Sequence, residues 1–432
     1  MIRGVPAKYV PLGPAWATNS VNTVAFRHHG IISTSRYQFA AFYQSPTQMI
    51  VVRRDLATDL IQRTEIVGSY NLMDAHNCIS LGIDRAGYIH LSYDHHASAL
   101  RYRRSLAPYD VSRWTDEQST NGRYEGQVTY PTFIMPGNGP LLMLYREGVH
   151  DKGISRLKEF DEIAAAWSDI DPGITSGAAQ APWSSSAYWN HPAVGDDGRI
   201  HLSFTWRSAL LGAEKRINNI DIDYAYSDDF GHSWFSSRGR QFRLPITQTT
   251  SETVFPVSPG SNLINQCSMT VDSRGLPHIA FYADDPDQIP QYQHLWFDGR
   301  NWRHEIVSQR RTGFILSGDG TLRIPISRPD ILIDDLDRVY MIFRGDISDN
   351  RLMALRLLPP DYEFDPKDCR ILWMSDLGFT ETVLDRGRWR TDRILSMYIQ
   401  KSDQPAHDRE APASFEPGYI VDWWLVRDWD RL

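Results

Sequence analysis

The sequence has few cysteines and no long apolar run, and each absence removes a class of protein. Its three cysteines, Cys78, Cys267 and Cys369, are odd in number and far apart, which argues against a disulfide framework and gives no zinc-finger spacing. No apolar stretch is long enough to span a bilayer, and residues 1–15 lack the features of a secretory signal. We therefore expect a cytoplasmic protein as the sequence is written, or a secreted or periplasmic one if a leader has been removed.

Positive charge is also in deficit. The chain carries 45 Lys and Arg against 53 Asp and Glu, a net charge of -8, which argues against nucleic acid or an anionic membrane as partners. Aromatic residues make up 12% of the chain and include 14 Trp, a composition that supports a large core and is common where sugars are bound. Because the net charge is negative, any site that binds an anion must be formed by a local group of cationic side chains.

Helical periodicity is nearly absent, and a strand–turn–strand pattern recurs instead. An average of about 62 residues for each of seven hairpins is enough for a four-stranded blade. The pattern predicts an all-β fold, a seven-bladed β-propeller, as a single domain over residues 1–432 whose amino- and carboxyl-terminal strands close the ring. Residues 155–167 fit either one short helix or a strand pair. The seven hairpins span residues 23–43, 78–96, 129–148, 189–207, 265–284, 327–346 and 382–398.

A local motif supports the propeller. Residues 227–234 read S-D-D-F-G-H-S-W and match the S-x-D-x-G-x-x-W box of sialidase-like blades, in which an Asp carboxylate holds a tight turn and a Trp pins it. The box is a structural element on the outer edge of a blade. It therefore indicates a fold rather than a reaction.

Polar residues recur at the open ends of the hairpins. Residues at equal distances from a turn lie side by side in an antiparallel hairpin, and in a propeller all hairpin mouths open on one face, which we call the mouth face. The candidate pairs are His76 with His96, Tyr130 with Arg146, His191 with Arg207, and Arg328 with Arg344. Together they predict a local cationic ring, whose natural ligand is an anion.

This set contains almost no carboxylates, which bears on the chemistry. Ordinary glycoside hydrolysis needs two carboxyl groups beside the bond. Elimination beside a uronic acid needs a cation for the carboxylate, a base for the C5 proton and an acid for the departing O4. Arg146 can bind a carboxylate, His76 or His96 can act as the base, and Tyr130 can be the acid, or the base if an arginine lowers its pKa.

Several of these segments resemble a known family. D-A-H-N at 74–77, D-R-A-G-Y-I-H-L-S-Y-D-H-H at 84–96, T-Y-P-T-F at 129–133 and L-Y-R-E-G at 144–148 are similar to the BNR-repeat polysaccharide lyases, which include ulvan lyases and rhamnosyl-glucuronate lyases. The resemblance implies an active site of His76, His96, Tyr130 and Arg146. It also implies a uronic acid linked through O4 to rhamnose as the substrate.

The remaining expectations concern binding and partners. We assign substrate binding to Asn77, His191, Arg207, Arg328 and Arg344. The chemistry requires no cofactor, but the resemblance allows a structural zinc, for which the candidate ligands are His191, Cys267 and His278. The expected partner is an anionic polysaccharide or oligosaccharide, bound by a monomer. Two alternatives stay open, a sialidase-like hydrolase and a non-catalytic carbohydrate-binding propeller.

Overall fold

The computed structural model describes residues 7–177, 185–208, 217–265, 267–318, 320–406 and 411–431. These residues form seven small antiparallel sheets, so the prediction of an all-β seven-bladed propeller is confirmed. The first strand, β1 (Ala7–Trp16), belongs to the last sheet. The first blade follows it in the chain and contains β2 (Ile31–Ser33), β3 (Tyr37–Ser45), β4 (Gln48–Asp55) and β5 (Ile61–Val67).

One strand that follows the second blade in the chain belongs to the sheet of the third blade. The second sheet contains β6 (Ile79–Ile83), β7 (Ile89–Tyr93) and β9 (Tyr102–Arg104), and β8 (His96–Ser98) pairs instead with the third sheet. The third sheet otherwise consists of β10 (Val128–Ile134), β11 (Leu142–Glu147), β12 (Ile154–Asp161) and β13 (Ala166–Ile170). Residues 155–167 are therefore a strand pair and not a helix.

The fourth to sixth blades follow in order. The fourth contains β14 (Ser185–Trp189), β15 (Ala193–Val194), β16 (Ile200–Ser208), β17 (Asn219–Ser227) and β18 (Thr253–Phe255). The fifth contains β19 (Ser268–Val271), β20 (Pro277–Asp284), β21 (Pro290–Phe297) and β22 (Trp302–Ile306). The sixth contains β23 (Asp330–Ile333), β24 (Val339–Arg344), β25 (Leu352–Leu357) and β26 (Cys369–Ile371).

The seventh blade joins the two ends of the chain. Its order is β1, β28 (Phe415–Trp423) and β27 (Leu395–Ile399), and β1 pairs with β28 from Ala7 opposite Trp423 to Trp16 opposite Phe415. The seventh predicted hairpin, residues 382–398, has no tight turn, because α1 (Arg386–Asp392) occupies the connection before β27. A last short helix, α2 (Leu425–Asp428), follows β28. No helix among the described residues is long and apolar enough to cross a membrane.

A repeated turn explains why the hairpins form where they do. In three blades the aspartate that ends the first strand accepts a hydrogen bond from the backbone N–H four residues later, which closes the turn. The pairs are Asp84 with Tyr88 at 2.8 Å, Asp272 with Leu276 at 2.8 Å and Asp334 with Arg338 at 3.0 Å. These turns lie at the end of the inner strands opposite the mouth face, and we call that end the turn face.

The box at residues 227–234 is formed as its sequence predicts. The Asp229 carboxylate accepts a 2.8 Å bond from the Ser233 N–H, and the Trp234 indole donates to the Gly231 carbonyl at 3.0 Å. Trp234 is fully buried. The box begins at the last residue of β17, and it stabilises the outer part of the fourth blade.

Candidate active site

A cleft of about 490 Å³ opens on the mouth face. Six of the residues predicted from the hairpin mouths or the family resemblance line it, and they come from four different blades or their connections. Several aromatic and polar residues complete the wall. The six predicted residues are His76, His96, Tyr130, Arg146, Arg207 and Arg328, and their neighbours include Phe26, His150, Tyr188, Asn265 and Thr321.

The two histidines are in direct contact. Their rings stack with centroids 4.1 Å apart and planes 18° from parallel. One carboxylate joins them, because Asp74 Oδ1 lies 2.6 Å from His76 Nδ1 and Asp74 Oδ2 is hydrogen-bonded to His96 Nδ1. Burial raises the pKa of Asp74, but the bonds to both histidines outweigh it and hold that pKa well below its usual range. Asp74 is therefore an ionised acceptor.

Two local features of the chain bring the histidines together. Asp74 caps a 3-10 turn over residues 75–77 by accepting a 2.9 Å bond from the His76 N–H, which places His76 just before β6. His96 lies on β8, where it pairs with Thr129 of β10. Asp94 and Ala97 have φ angles of 66° and 50°, so the chain turns away from β7 and carries His96 across to the third blade.

Tyr130 lies on a β-bulge. Thr129 pairs with Arg146 and Thr132 pairs with Leu144, so β10 contains one extra residue in this stretch. The predicted pairing of Tyr130 with Arg146 is therefore off by one position. Pro131 has no N–H to give to the ladder, which explains the bulge, and Tyr130 adopts a φ of 58°. The bulge turns the phenol ring into the cleft, where it touches both histidine and arginine neighbours.

The contacts of Tyr130 define its state. Its ring centroid lies 5.7 Å from that of His76 and 5.2 Å from the Arg146 guanidinium carbon. Burial, followed by the neighbouring Tyr188, raises the pKa of Tyr130 well above its usual value, although nearby arginines oppose the shift. The phenol therefore keeps its proton at neutral pH, and this environment suits a proton donor.

Arg146 is a buried guanidinium without an acidic partner among the described residues. It donates to the Tyr188 hydroxyl at 2.9 Å and to Thr129 Oγ1 at 3.2 Å, while its Nε is buried without a hydrogen bond in the described part of the chain. Neutral hydroxyls leave its charge uncompensated. A carboxylate entering the cleft would supply that missing negative charge.

The other two arginines of the cleft differ in charge balance. Among the described residues, Arg207 bonds to side-chain amide oxygens, from Asn219 at 3.0 Å and from Asn265, and to no carboxylate. Arg328 forms a buried ion pair with Glu381, and burial of the pair costs less because four charge-assisted or backbone contacts satisfy the carboxylate. Within the described part of the chain, Arg207 is thus a second cation of the cleft without an acidic partner, and Arg328 is largely neutralised.

Three residues assigned to substrate binding do not line the cleft. The Asn77 amide donates to the Asn71 carbonyl at 2.8 Å and holds the loop before β6. Arg344 is fully buried and donates to the carbonyls of Thr380 at 3.0 Å and Pro325 at 3.2 Å. Arg207 pairs with Ser186 and not with His191. His191 follows β14 further along the chain and lines the cavity on the turn face.

The three residues considered for zinc do not form one group. His191 packs against His28 and His29 with ring centroids 4.5 Å apart, and the His278 Nδ1 lies 2.9 Å from His294 Nε2 in the fifth blade. Cys267 is buried near Ile264. Within the described ranges, the one group that places three ligand-type atoms within 4.8 Å of one another is Asp74, His76 and His96. The residues present therefore do not fit a zinc site at His191, Cys267 and His278.

The sequence reasoning missed four residues that shape the site. Asp74 stands in the quoted D-A-H-N motif, where an aspartate before a short turn is a capping signal. Thr129 bonds both the Ala97 N–H at 2.8 Å and Arg146. The Tyr188 hydroxyl lies 2.9 Å from the Arg146 guanidinium, and the Phe26 ring centroid lies 5.2 Å from that of Tyr130, although both residues are distant from these partners in sequence. Only Asp74 could have been recognised without knowing how the strands pair.

The fold and the cleft together define a β-propeller whose mouth face holds a cleft lined by arginines, paired imidazoles and a phenol. The chain belongs to the BNR repeat-containing family, whose model matches residues 37–310. That assignment agrees with the family resemblance of the sequence motifs. The family match does not by itself identify the substrate of this chain.

Two characterised relatives carry an activity in their names. The chain is 24% identical over 281 residues to an ulvan lyase of Nonlabens ulvanivorans, covering 58% of this chain and 57% of that protein. It is 21% identical over 258 residues to an ulvan lyase of Alteromonas sp. (strain LOR), covering 53% and 52%. The matched region thus spans about half the length of these relatives.

Solved structures share the whole fold. An ulvan lyase of polysaccharide lyase family PL25 superposes with a TM-score of 0.71 at 15% identity over 95% of both chains. A structure of that enzyme type bound to -[GlcA(1-4)Rha3S]- gives a TM-score of 0.70 at 15% identity, again over 95% of both chains. At this identity the likeness establishes the propeller fold of the chain.

Proposed function

We propose that this protein is a polysaccharide lyase that cleaves a uronic-acid-containing polysaccharide by β-elimination, at a rhamnosyl-uronate linkage of the kind found in ulvan. One observation carries the proposal. A stacked pair of imidazoles, a protonated phenol and a guanidinium without an acidic partner in the described chain surround a single cleft. These are the groups that elimination beside a carboxylate requires.

The carboxylate of the uronic acid is the group to be bound first. Arg146 offers two or more N–H donors in a fixed plane, and a protonated histidine beside it adds a second positive charge. Binding withdraws electron density from the carboxylate, so the proton on C5 becomes more acidic. The arginine and one histidine therefore act as the electrostatic part of the site.

The other histidine of the pair takes the C5 proton. As that C–H bond breaks, a double bond forms between C4 and C5 and the bond from C4 to O4 breaks. Tyr130 gives its proton to the departing O4, and solvent later returns a proton to the phenolate while the imidazolium loses its own. The products are an unsaturated uronate and a new hydroxyl group on the leaving sugar. No step in this scheme uses a cofactor.

The substrate class rests on charge and on the names of relatives. The cleft presents Arg146 and Arg207 without acidic partners among the described residues, which favours an anionic chain. The relatives named ulvan lyases support a uronate linked to rhamnose. A hydrolase of the ordinary kind has less support, since the described residues of the cleft wall include no Asp or Glu.

The test is incubation with ulvan, with desulfated ulvan and with a uronate-free polysaccharide, followed by ultraviolet absorbance and by reducing-end assay. A lyase produces a conjugated double bond from the uronate polymers and nothing from the third. New reducing ends without absorbance would replace the proposal with a hydrolase. Binding without either product would leave a carbohydrate-binding propeller.

Two variants assign the histidines. His76→Gln and His96→Gln should each lower the rate, but only the variant that lacks the base should be rescued by added imidazole. The variant that lacks the charged histidine should instead show a raised KM. Equal behaviour of both variants in both assays would reject the division of roles.

A further inference from the structure

The carboxylate of Asp74 makes three contacts at once. It accepts the His76 N–H at 2.9 Å, lies 2.6 Å from His76 Nδ1 and is hydrogen-bonded to His96 Nδ1. Capping a turn requires only the first of these. The other two place one negative charge on the shared side of a stacked imidazole pair.

This geometry determines which ring nitrogens carry protons. An ionised carboxylate only accepts hydrogen bonds, so both Nδ1 atoms must donate to it. A neutral imidazole has one donor nitrogen and one acceptor nitrogen. Each neutral histidine is therefore the Nδ1–H tautomer, and its Nε2 is left with the lone pair that a base needs.

Three further side chains face the pair. Phe26 stacks on His76 with centroids 5.2 Å apart, Tyr130 is a protonated phenol, and Thr321 Oγ1 lies 3.2 Å from His76 Nδ1. Arg328, whose guanidinium lies 5.0 Å from the Phe26 ring centroid, is paired with Glu381. When one ring of the pair is charged, a second positive charge on rings 4.1 Å apart would meet repulsion.

We propose that Asp74 is the positioning residue of this site, which fixes both histidines as Nδ1–H tautomers and lets the pair hold one proton at a time. The inference rests on the proposed function, because it explains how one histidine stays neutral as a base while the other is charged. Asp74 itself does not touch the reacting atoms in this scheme.

The decisive variant is Asp74→Asn, with Asp365→Asn as the matched control. Asp365 caps a 3-10 turn over residues 366–368 with the same 2.9 Å bond to a backbone N–H but contacts no histidine. Asparagine is as good a cap as aspartate, so both variants keep their turns. Only at position 74 do both carboxylate oxygens contact an imidazole, so the amide there places a donor against one ring and forces it into the Nε2–H tautomer.

The direct measurement is nitrogen-15 NMR of the histidine side chains, assigned with His76→Gln and His96→Gln. The wild type and Asp365→Asn should show Nδ1–H for both residues at alkaline pH, and Asp74→Asn should show Nε2–H for at least one. A wild type with Nε2–H at either histidine would overturn the inference even if Asp74→Asn fails to fold. Shifts of these resonances on adding a chelator would overturn it too, because a metal would then hold the same atoms.

Kinetics supply a second measurement. Asp74→Asn should lower kcat about 10- to 100-fold with KM within about threefold, and the kcat/KM profile should move to lower pH, because both histidines lose the carboxylate that favours their protonated forms. An unchanged kcat and pH profile would overturn the inference. If the wild type eliminates no uronate polymer, the proposed function fails by itself, and the tautomers still decide the role of Asp74.

Discussion

The two faces of the propeller treat positive charge in opposite ways. The turn face contains the larger cavity, about 730 Å³ against about 490 Å³ for the cleft of the mouth face. Yet each arginine of the turn-face cavity lies against an aspartate. The pairs are Arg274 with Asp272 at 2.8 Å, Arg390 with Asp196 at 2.9 Å, Arg393 with Asp335 at 2.5 Å, and Arg386 with Asp330.

On the mouth face, Arg146 and Arg207 bond to hydroxyl and amide oxygens and to no carboxylate of the described residues. An anion that enters this cleft can pair with an arginine that no carboxylate of the described residues already neutralises, whereas an anion in the turn-face cavity must displace an aspartate. Volume alone would select the turn-face cavity. The comparison indicates that uncompensated charge is the better guide to the site of an anionic substrate.

The largest effect is expected at Tyr130. Tyr130→Phe keeps the ring in place but removes the proton for O4, so kcat should fall roughly 10³-fold, within the range for loss of a general acid. Initial rates of double-bond formation measure it. Tyr362→Phe, at a buried tyrosine whose pKa is likewise raised, is the control and should stay near wild type. A Tyr130→Phe enzyme with more than a tenth of wild-type kcat would refute the role.

Arg146 and Arg390 compare the two faces directly. Arg146→Gln removes a guanidinium that is to bind the carboxylate, and we expect kcat/KM to fall about 100-fold, which corresponds to about 3 kcal/mol for a charged hydrogen bond. Arg390→Gln breaks an exposed ion pair on the turn face and should change kcat/KM less than twofold. Equal losses in the two variants would mean that the substrate does not discriminate between the faces.

A smaller effect is expected at Arg207. Its side chain is only partly buried and is held by amides, so Arg207→Gln should raise KM about tenfold and leave kcat within about twofold, as for a contact made equally in ground and transition states. Added salt should reduce the difference between wild type and variant. A fall in kcat with constant KM would place Arg207 in the chemical step instead.

The smallest effect concerns the free energy of unfolding at acidic pH, which the buried His201 should lower. Burial lowers the pKa of His201 to about 3, below its ordinary value, so the unfolded chain binds a proton that the folded chain refuses. His201 therefore destabilises the fold as pH falls from about 6.5 toward 3, by up to about 1.4 kcal/mol per pH unit. His201→Asn should flatten the pH dependence of the free energy of unfolding in denaturant titrations.

Much of the fold was predictable from hairpin repeats, because strand alternation and Asp–Gly turns are local signals. The second hairpin has the predicted register, with Ile79 opposite Tyr93, but His76 and His96 lie beyond its paired residues, on the capped turn and on β8. The seventh hairpin was less readable. Its connection is the helix α1, and R-G-R-W-R-T-D has too few residues to show a helical period.

The positions of the site residues were predictable where the turn fixes the strand register. The prediction failed where a bulge or a split strand changes that register. A bulge at Tyr130 and Pro131 shifts the pairing by one residue, and the fourth hairpin pairs Arg207 with Ser186 rather than His191. Bulges and split strands depend on tertiary packing that one sequence does not display. The charge balance of each arginine was also hidden, since Glu381 neutralises Arg328 from 53 residues away.

The strand β8 has one more consequence. It leaves the second sheet and completes the edge of the third, so His96 belongs by sequence to one blade and by pairing to its neighbour. The imidazole pair assembles only when the seam between those two blades is closed. For the proposed lyase, turnover would then report whether the two blades are docked, and a molecule with an opened seam would lose activity before its sheets unfold.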